Sequence, residues 1–503
     1  MSASQILRST LDQTDFHPHL SQQRRLYEAA RAAILQQELA AGSKLPSTRC
    51  VANELGIARN TVIAAFKQLA AEGYVSTMAG SGTFISETLP ETSIVGLPVA
   101  GKIKANRSTA TNTEGSSLSR RGLQLTAYAA GARFEIQPFA PGDPDFSLFP
   151  LKLWQRIQNR VWREARPELL DYGQAGGYLP LRSAVAEYLR ASRSVNVSVE
   201  QVMITSGTQQ SLDLCAQMLA DVGDIAWVED PCYWAARRVF ESCDLQLHAV
   251  AVDSDGIAPT EQDMATHPRL IYVTPSHQYP TGVVMTLARR RKLLDIAAGK
   301  RAWILEDDYD SEFRYTGRPL ASLQGLDTYG RVVYMGTFSK ILYPGIKVGY
   351  LVVPPALVEP FKTALYDLQR PGQMMVQAAL ADFISLGHFA THIRKIRQAY
   401  GAKRELLRKT LVSHMGSEIR ISGEESGLHL VVELPDHVDD AALARLAAES
   451  GIAVKALSNY YLAQTPRRGL LIGYAYVELG KIAYYAKLLT NVIRSGIRNR
   501  KTS

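Results

Sequence analysis

The chain has 503 residues, of which 46% are hydrophobic and 21% charged, and a net charge of +8, an ordinary composition for a globular protein of two to four folded units. No apolar run reaches the roughly 18 residues of a membrane span, and the polar start MSASQILRSTLDQTDFHPHL lacks the apolar core of a signal peptide, so no membrane partner and a cytoplasmic location are expected. Cys50, Cys215, Cys232 and Cys243 form no Cys-x-x-Cys pair, which argues against a zinc site or a disulfide framework, and no metal is expected.

The positive charge permits nucleic-acid binding without establishing it. Residues 1–86 carry eight Lys/Arg against six Asp/Glu, so contact with DNA must rest on where particular basic side chains sit. Residues 15–86 read as three helices and a hairpin. Gln22–Leu39 shows helical apolar spacing through Leu26, Ala30, Ala33, Ile34 and Leu35. Ser47 and Thr48 follow Pro46 at a helix start, and Val51, Ala52 and Leu55 form one apolar face. Gly56 supplies a turn. A second helix begins near Ala58–Asn60, with Val62, Ala65, Phe66, Leu69 and Ala70 on its core side. Tyr74–Thr77 and Thr83–Ile85 flank AGSG and read as a small wing hairpin.

Two helices joined by a short Gly-containing turn match a helix-turn-helix. The start of the second helix would enter the major groove and place Arg59, Asn60 and Thr61 near base edges and phosphates, with Arg49 reaching from the preceding helix. Spacing alone fits a helical hairpin with surface arginines better than a DNA reader. The run LPSTRCVANELGIARNTVIAAFKQLAAEGYV followed by GSGTFI resembles the GntR-type winged helix over about 45 residues. That resemblance implies binding to a double-stranded DNA operator through Ser47, Arg49, Arg59, Asn60, Thr61 and the wing at Gly80. Ala58 departs from the Ser or Thr often found there.

Residues 87–130 are rich in Ser, Thr, Gly and Ala with poor periodicity, and read as a flexible linker. From residue 131 to 497, strand-like runs (QVMITSG, IAWVED, LIYVTPS, AWILEDD, VVYMGTFS) alternate with helix-length segments. That alternation predicts an α/β domain built on a mostly parallel sheet.

Five segments of this region carry chemistry. ITSGTQQSLDLCAQML reads as strand, tight turn and helix, so the amides of Ser206, Gly207, Thr208 and Gln209 would face a phosphate at a helix N-terminus. EDPCYW places Tyr233 after a strand, where it would either stack on a ring or pack in the core. TPSHQYPTG offers His277 and Gln278 as site neighbours of open role. WILEDDYDSEFRY sets Asp307 and Tyr309 two residues apart on an extended segment, hence on one side; a carboxylate there keeps a pyridine nitrogen protonated and a phenol bonds a ring oxygen. GTFSKILYPGIKVGYL holds Lys340, an amine suited to a Schiff base with an aldehyde cofactor. Thr337 and Ser339 would donate to a phosphate, and Lys347 would neutralise it.

In this order the five segments resemble the fold-type-I aminotransferases. With the reader and the linker, nearly the whole chain resembles the MocR branch of the GntR-type regulators. The resemblance implies pyridoxal phosphate as cofactor, Lys340 as the catalytic lysine, Asp307 on the pyridine nitrogen, Tyr309 on the 3′-oxygen and Tyr233 on the ring face. It also implies a smaller α+β C-terminal subdomain and a homodimer, head to tail. Lys347 stands where the family usually has Arg and loses the bidentate fork; Cys232 replaces a usual Gly. A substrate carboxylate normally meets a C-terminal Arg, and Arg467 and Arg468 lie in that region, either as that contact or as a solvated basic pair.

Two functions follow. One is a transcription regulator whose cofactor domain senses an amine, an amino acid or pyridoxal phosphate itself and modulates operator binding, without physiological turnover. The alternative is an active aminotransferase carrying an appended reader. Fusion to an operator reader favours the first.

Overall fold

In the computed structural model, residues 2–13, 20–78, 81–87, 118–126, 137–316, 321–370, 372–463 and 465–498 are described. The chain divides into two compact units, Met1–Gly115 and Ser116–Ser503.

The first unit holds helices α1 (Ala3–Gln13), α2 (Gln22–Leu35), α3 (Thr48–Leu55) and α4 (Arg59–Ala71), followed by the antiparallel strands β1 (Val75–Met78) and β2 (Gly82–Ile85). Its core gathers Leu26, Ala30, Ala33 and Ile34 with Val51, Val62, Ala65, Phe66 and Leu69, as the helical spacing predicts. α2 ends at Leu35, four residues short of the predicted span, and Leu35 itself is exposed. Helix α1 extends the unit before residue 15: Leu7 is fully buried in the same core, with Ala3, Ile6 and Leu11 packed against it. Gly56 caps α3 in the left-handed region at φ +65°, the conformation that turns the chain sharply between α3 and α4.

Of the residues 87–130 expected as a linker, 88–117 and 127–130 lie outside the described residues. Within that stretch Arg120–Thr126 forms helix α5, and Arg121 pairs with Asp244 of the second unit.

The second unit continues with α6 (Leu151–Arg163), α7 (Leu179–Arg193), β3 (Val202–Thr205), α8 (Thr208–Leu219), β4 (Ile225–Asp230), α9 (Trp234–Ser242), β5 (Gln246–Asp253), β6 (Gly256–Ile257), α10 (Glu261–Met264), β7 (Pro268–Val273), α11 (Leu287–Lys300), β8 (Trp303–Asp308), α12 (Leu323–Leu326), β9 (Val332–Thr337) and β10 (Gly349–Val352). After these come α13 (Val358–Ala364), α14 (Met374–Ser385), α15 (His388–Met415), β11 (Arg420–Ser422), β12 (His429–Glu433), α16 (Asp440–Glu449), β13 (Lys455–Ala456), β14 (Gly469–Gly473) and α17 (Ile482–Arg498).

Strands β3 to β10 form one sheet in the order β3-β10-β9-β8-β7-β4-β5-β6. The ladders β5-β4-β7-β8-β9 are parallel, as the strand–helix alternation predicts, while β10 runs antiparallel between β9 and β3. Near-continuous apolar strands suit burial on both faces. Leu270, Tyr272, Leu305, Val333 and Leu351 pack under α8 and α9, while Ile271, Ile304 and Val332 pack under α11. Within β10, Gly349 pairs with both Thr205 and Thr337; a Cβ there would stand 2.7 Å from the Cα of Gly207 and 2.9 Å from the carbonyl of Gly336.

The smaller C-terminal subdomain carries a four-stranded antiparallel sheet, β11-β12-β14-β13, with α16 and α17. Among the described residues no helix is long and apolar enough to cross a membrane.

Candidate functional site

At the carboxyl ends of β4, β7, β8 and β9, where open α/β sheets place their ligand crevices, a cavity of about 220 Å³ opens. Six of the residues expected at the cofactor line it: Thr208, Tyr233, Asp307, Tyr309, Thr337 and Lys340. The period-two reading of β8 accounts for Asp307 and Tyr309 emerging together. The intervening Asp308 turns to the opposite side, where it meets Arg193 at 2.8 Å and accepts the Tyr334 hydroxyl at 2.5 Å.

Asp307 is buried, and Oδ2 accepts the hydroxyl of Tyr272 at 2.9 Å. Oδ1 is buried with no hydrogen-bond partner among the described residues. Burial pushes this carboxyl up to about 7, against the Tyr272 hydrogen bond, while the neighbouring Asp308 and Asp310 add to the rise. Lys340 sits in the β9–β10 connection and donates from Nζ to the carbonyl of Gly142 at 3.0 Å. Desolvation lowers its amine below the usual lysine range, and Asp143, Asp310 and Asp307 work in the other direction.

Tyr309 donates to the carbonyl of His277 at 3.1 Å, and its oxygen lies 3.0 Å from His277 Nδ1. The same Nδ1 is 2.9 Å from Asp310 Oδ2, so a carboxylate and a buried imidazole hold the phenol in place. Gln278 is saturated elsewhere: Nε2 donates to the carbonyls of Pro231 and Tyr279, each at 2.8 Å, and Oε1 accepts from Thr281. It braces the turn and does not line the cavity.

The helix N-terminus at α8 forms as the Gly-containing turn predicts. Gly207 is its N-cap residue at φ +115°, with no side-chain cap, which leaves the first amides of the helix open toward the crevice. The side chains of Ser206 and Gln209 are exposed, and the Ser206 amide is taken by Gln210. Ser339 donates its amide to Thr337 Oγ1 at 3.2 Å and does not line the cavity. Nor does Lys347, which is exposed at φ +49° after a single 3₁₀ turn. The two C-terminal arginines are engaged away from the cavity: Arg467 pairs with Glu433 at 2.6 Å, and Arg468 with the buried Asp440 at 3.3 Å.

Sequence reasoning missed half of the wall. Pro141, Gly142, Trp234, Tyr272, Thr274, Tyr279, Leu428 and His429 also line the cavity. Thr274 and Tyr279 lie within TPSHQYPTG itself, whereas His429 arrives from β12 of the small subdomain. Its Nε2 bonds to the Pro280 carbonyl at 3.0 Å, and burial holds the imidazole down to about 3, so it is neutral at physiological pH.

In the reader, α4 begins at Arg59 after Ala58, which offers no side-chain cap. Arg49, Arg59 and Asn60 are exposed, and Thr61 is half-buried beside them. Ser47 is the N-cap of α3, and its hydroxyl accepts the Cys50 amide at 3.2 Å. The wing forms between β1 and β2; Gly80 lies outside the described residues.

Residues 22–85 match the family of bacterial regulatory proteins, gntR family, and residues 138–479 match aminotransferase class I and II. The chain is 39% identical over 456 residues to the probable rhizopine catabolism regulatory protein MocR of Rhizobium meliloti, covering 90% of each. It is 30% identical to the pyridoxine biosynthesis transcriptional regulator PdxR of Corynebacterium glutamicum, covering 89% of this chain and 91% of that one. Among solved structures it is similar to LysN, the α-aminoadipate aminotransferase of Thermus thermophilus, solved with N-(5′-phosphopyridoxyl)-L-leucine. That likeness has a TM-score of 0.66 at 28% identity, over 72% of this chain and 93% of that chain.

Pyridoxal phosphate belongs to this fold, and the cavity fits it on its own chemistry. Among the described residues a buried carboxylate oxygen lacks a donor, a desolvated amine faces the same space, and helix amides without a side-chain cap lie at one edge.

Proposed function

This chain belongs to the MocR-type transcription regulators, in which a GntR-family reader is joined to an aminotransferase-like domain, and from that premise we propose that its cofactor domain senses a small amine or amino acid and thereby changes how the reader holds an operator. The observation that carries this reading is the shared cavity of Lys340 and Asp307, with the Asp307 oxygen left open for a protonated ring nitrogen.

When bound, pyridoxal phosphate supplies an aldehyde carbon that takes up a primary amine and a ring that withdraws electrons. Lys340 is the resident amine. Asp307 would hold the proton on the ring nitrogen, Tyr309 would bond the 3′-oxygen, and Tyr233 would cover a ring face. The α8 amides with Thr208 and Thr337 would hold the phosphate. In the reader, Arg49, Arg59, Asn60 and Thr61 contact DNA, with the wing at Gly80 alongside. The working form is a cytoplasmic homodimer that reads two half-sites. A ligand shifts operator affinity only through different affinities for two arrangements of that dimer.

Operator binding measured with and without pyridoxal phosphate and a panel of amines tests this. A ligand-dependent change in affinity is expected; DNA binding indifferent to every ligand and to the cofactor would reject sensing. The intact set of Lys340, Asp307 and Tyr309 favours a second reading, an aminotransferase with an appended reader. Steady turnover of an amino donor with a keto acid would establish it.

A further inference from the structure

The cavity's charges are lopsided. Among the described residues that line it, Lys340 is the only cation. His429 is neutral, and the remaining polar side chains are Asp307, hydroxyls and the uncharged indole of Trp234. Of the two strands that pair with β12, β11 meets its far end, with Arg420 opposite Glu433, and β14 is the one opposite His429; β14 reads Gly-Leu-Leu-Ile-Gly, buried throughout and without a charged side chain. Arg467 and Arg468, the cations nearest that strand in sequence, are committed to Glu433 and Asp440.

An acid follows the amine's hydrogen-bond acceptor in the chain, although its own side chain lines the neighbouring cavity beside Tyr343 and Gly345. Gly142 accepts from the Lys340 amine at 3.0 Å, and the next residue is the half-buried Asp143. Its field reaches Lys340, and the exposed Lys455 is the other cation acting on it. A ligand nitrogen that comes up to Lys340 therefore enters the field of a carboxylate one residue beyond the amine's own acceptor. A carboxylate carried on the ligand's own α-carbon would be desolvated in the same place without a guanidinium partner and with Asp143 repelling it.

We infer that the effector is a primary amine lacking an α-carboxylate, neutral or cationic in its remainder, and that Asp143 sets this preference. The inference rests on the amine-sensing reading above and narrows it from amines and amino acids to amines.

The test uses the full-length protein loaded with pyridoxal phosphate and two ligand pairs that differ only by the carboxylate: 2-phenylethylamine against L-phenylalanine, and 1,4-diaminobutane against L-ornithine. Dissociation constants come from calorimetry, and the visible spectrum follows the cofactor. Each amine is expected to bind at least about tenfold more tightly than its amino acid. In Asp143→Asn the gap should narrow to about threefold or less, while the melting temperature of the loaded protein stays at the wild-type value. Amino acids that bind as tightly as their amines overturn this inference and leave sensing intact. A gap that persists in D143N removes Asp143 from the account. Silence from all four ligands, by heat and by spectrum, overturns the sensing reading and this inference with it.

Discussion

Tyr272 donates its phenolic proton to Oδ2 of Asp307 at 2.9 Å, which leaves Oδ1 of the same carboxylate as the buried oxygen without a partner. The phenol favours the ionised acid, and the ionised acid is the form that holds a protonated ring nitrogen. In Tyr272→Phe the Asp307 carboxyl should rise further above its value of about 7. A hydrogen bond to a charged group contributes about 1.5–3 kcal/mol, so pyridoxal phosphate affinity should fall by about tenfold or more. Cofactor retained through dialysis, read by visible absorption, checks this; unchanged retention would show that Tyr272 has no part in holding the acid ionised.

Four carboxyls behave as a set. Burial pushes Glu229, Glu306, Glu312 and Asp307 each up to about 7. Between the usual glutamate value of 4.5 and about 7, the folded chain keeps a proton that the unfolded chain releases. The stability this supplies is complete below the lower value and is lost as pH rises through the upper one. Cofactor-free protein should therefore lose melting temperature over that window, and Glu229→Gln should show a shallower loss. Equal slopes in the two proteins would mean that Glu229 does not titrate there.

On the reader, Arg59 opens α4 and is exposed. Arg59→Ala should weaken operator binding by about 1–3 kcal/mol, roughly 5- to 150-fold, with the cofactor spectrum unchanged. Ser47→Ala should act differently. It deletes the N-cap of α3, so the reader should lose about 1 kcal/mol of stability, visible in its melting without any DNA present.

Helix α1 was invisible in composition but is anchored by a fully buried leucine. Leu7→Ala should destabilise the reader by about 2–5 kcal/mol, measured as a lower unfolding midpoint of that unit. A midpoint unchanged within error would mean that α1 is dispensable to the core.

What could be read from the sequence follows the range of the signal. Asp307 and Tyr309 were legible because a strand's period is local, and Lys340 because its neighbours in the chain carry the pattern. Helix α1 was missed because its apolar positions, Ala3, Ile6, Leu7 and Leu11, are spaced helically inside a stretch that is polar on average. Helix α5 was missed for the same reason, within a Ser- and Gly-rich segment. Tyr272 and His429 sit in strands that look like plain core, and only the assembled sheet turns them toward the cavity. For Arg467 and Arg468, the partners that take them up, Glu433 and Asp440, come from β12 and α16, at a distance that no local pattern reports. Lys347 is itself in the left-handed region at φ +49°, a backbone conformation that no local pattern reports.

Gly349 touches three neighbours at once: Thr205, Thr337 and the backbone at Gly207. The first leads into the helix whose amides await an anion, and the second leads into the loop bearing Lys340. One side-chain-free position thus sets the gauge between the two ends of the cofactor seat. That gauge belongs to the sheet, whereas the aromatic side and the strand that brings His429 belong to the walls.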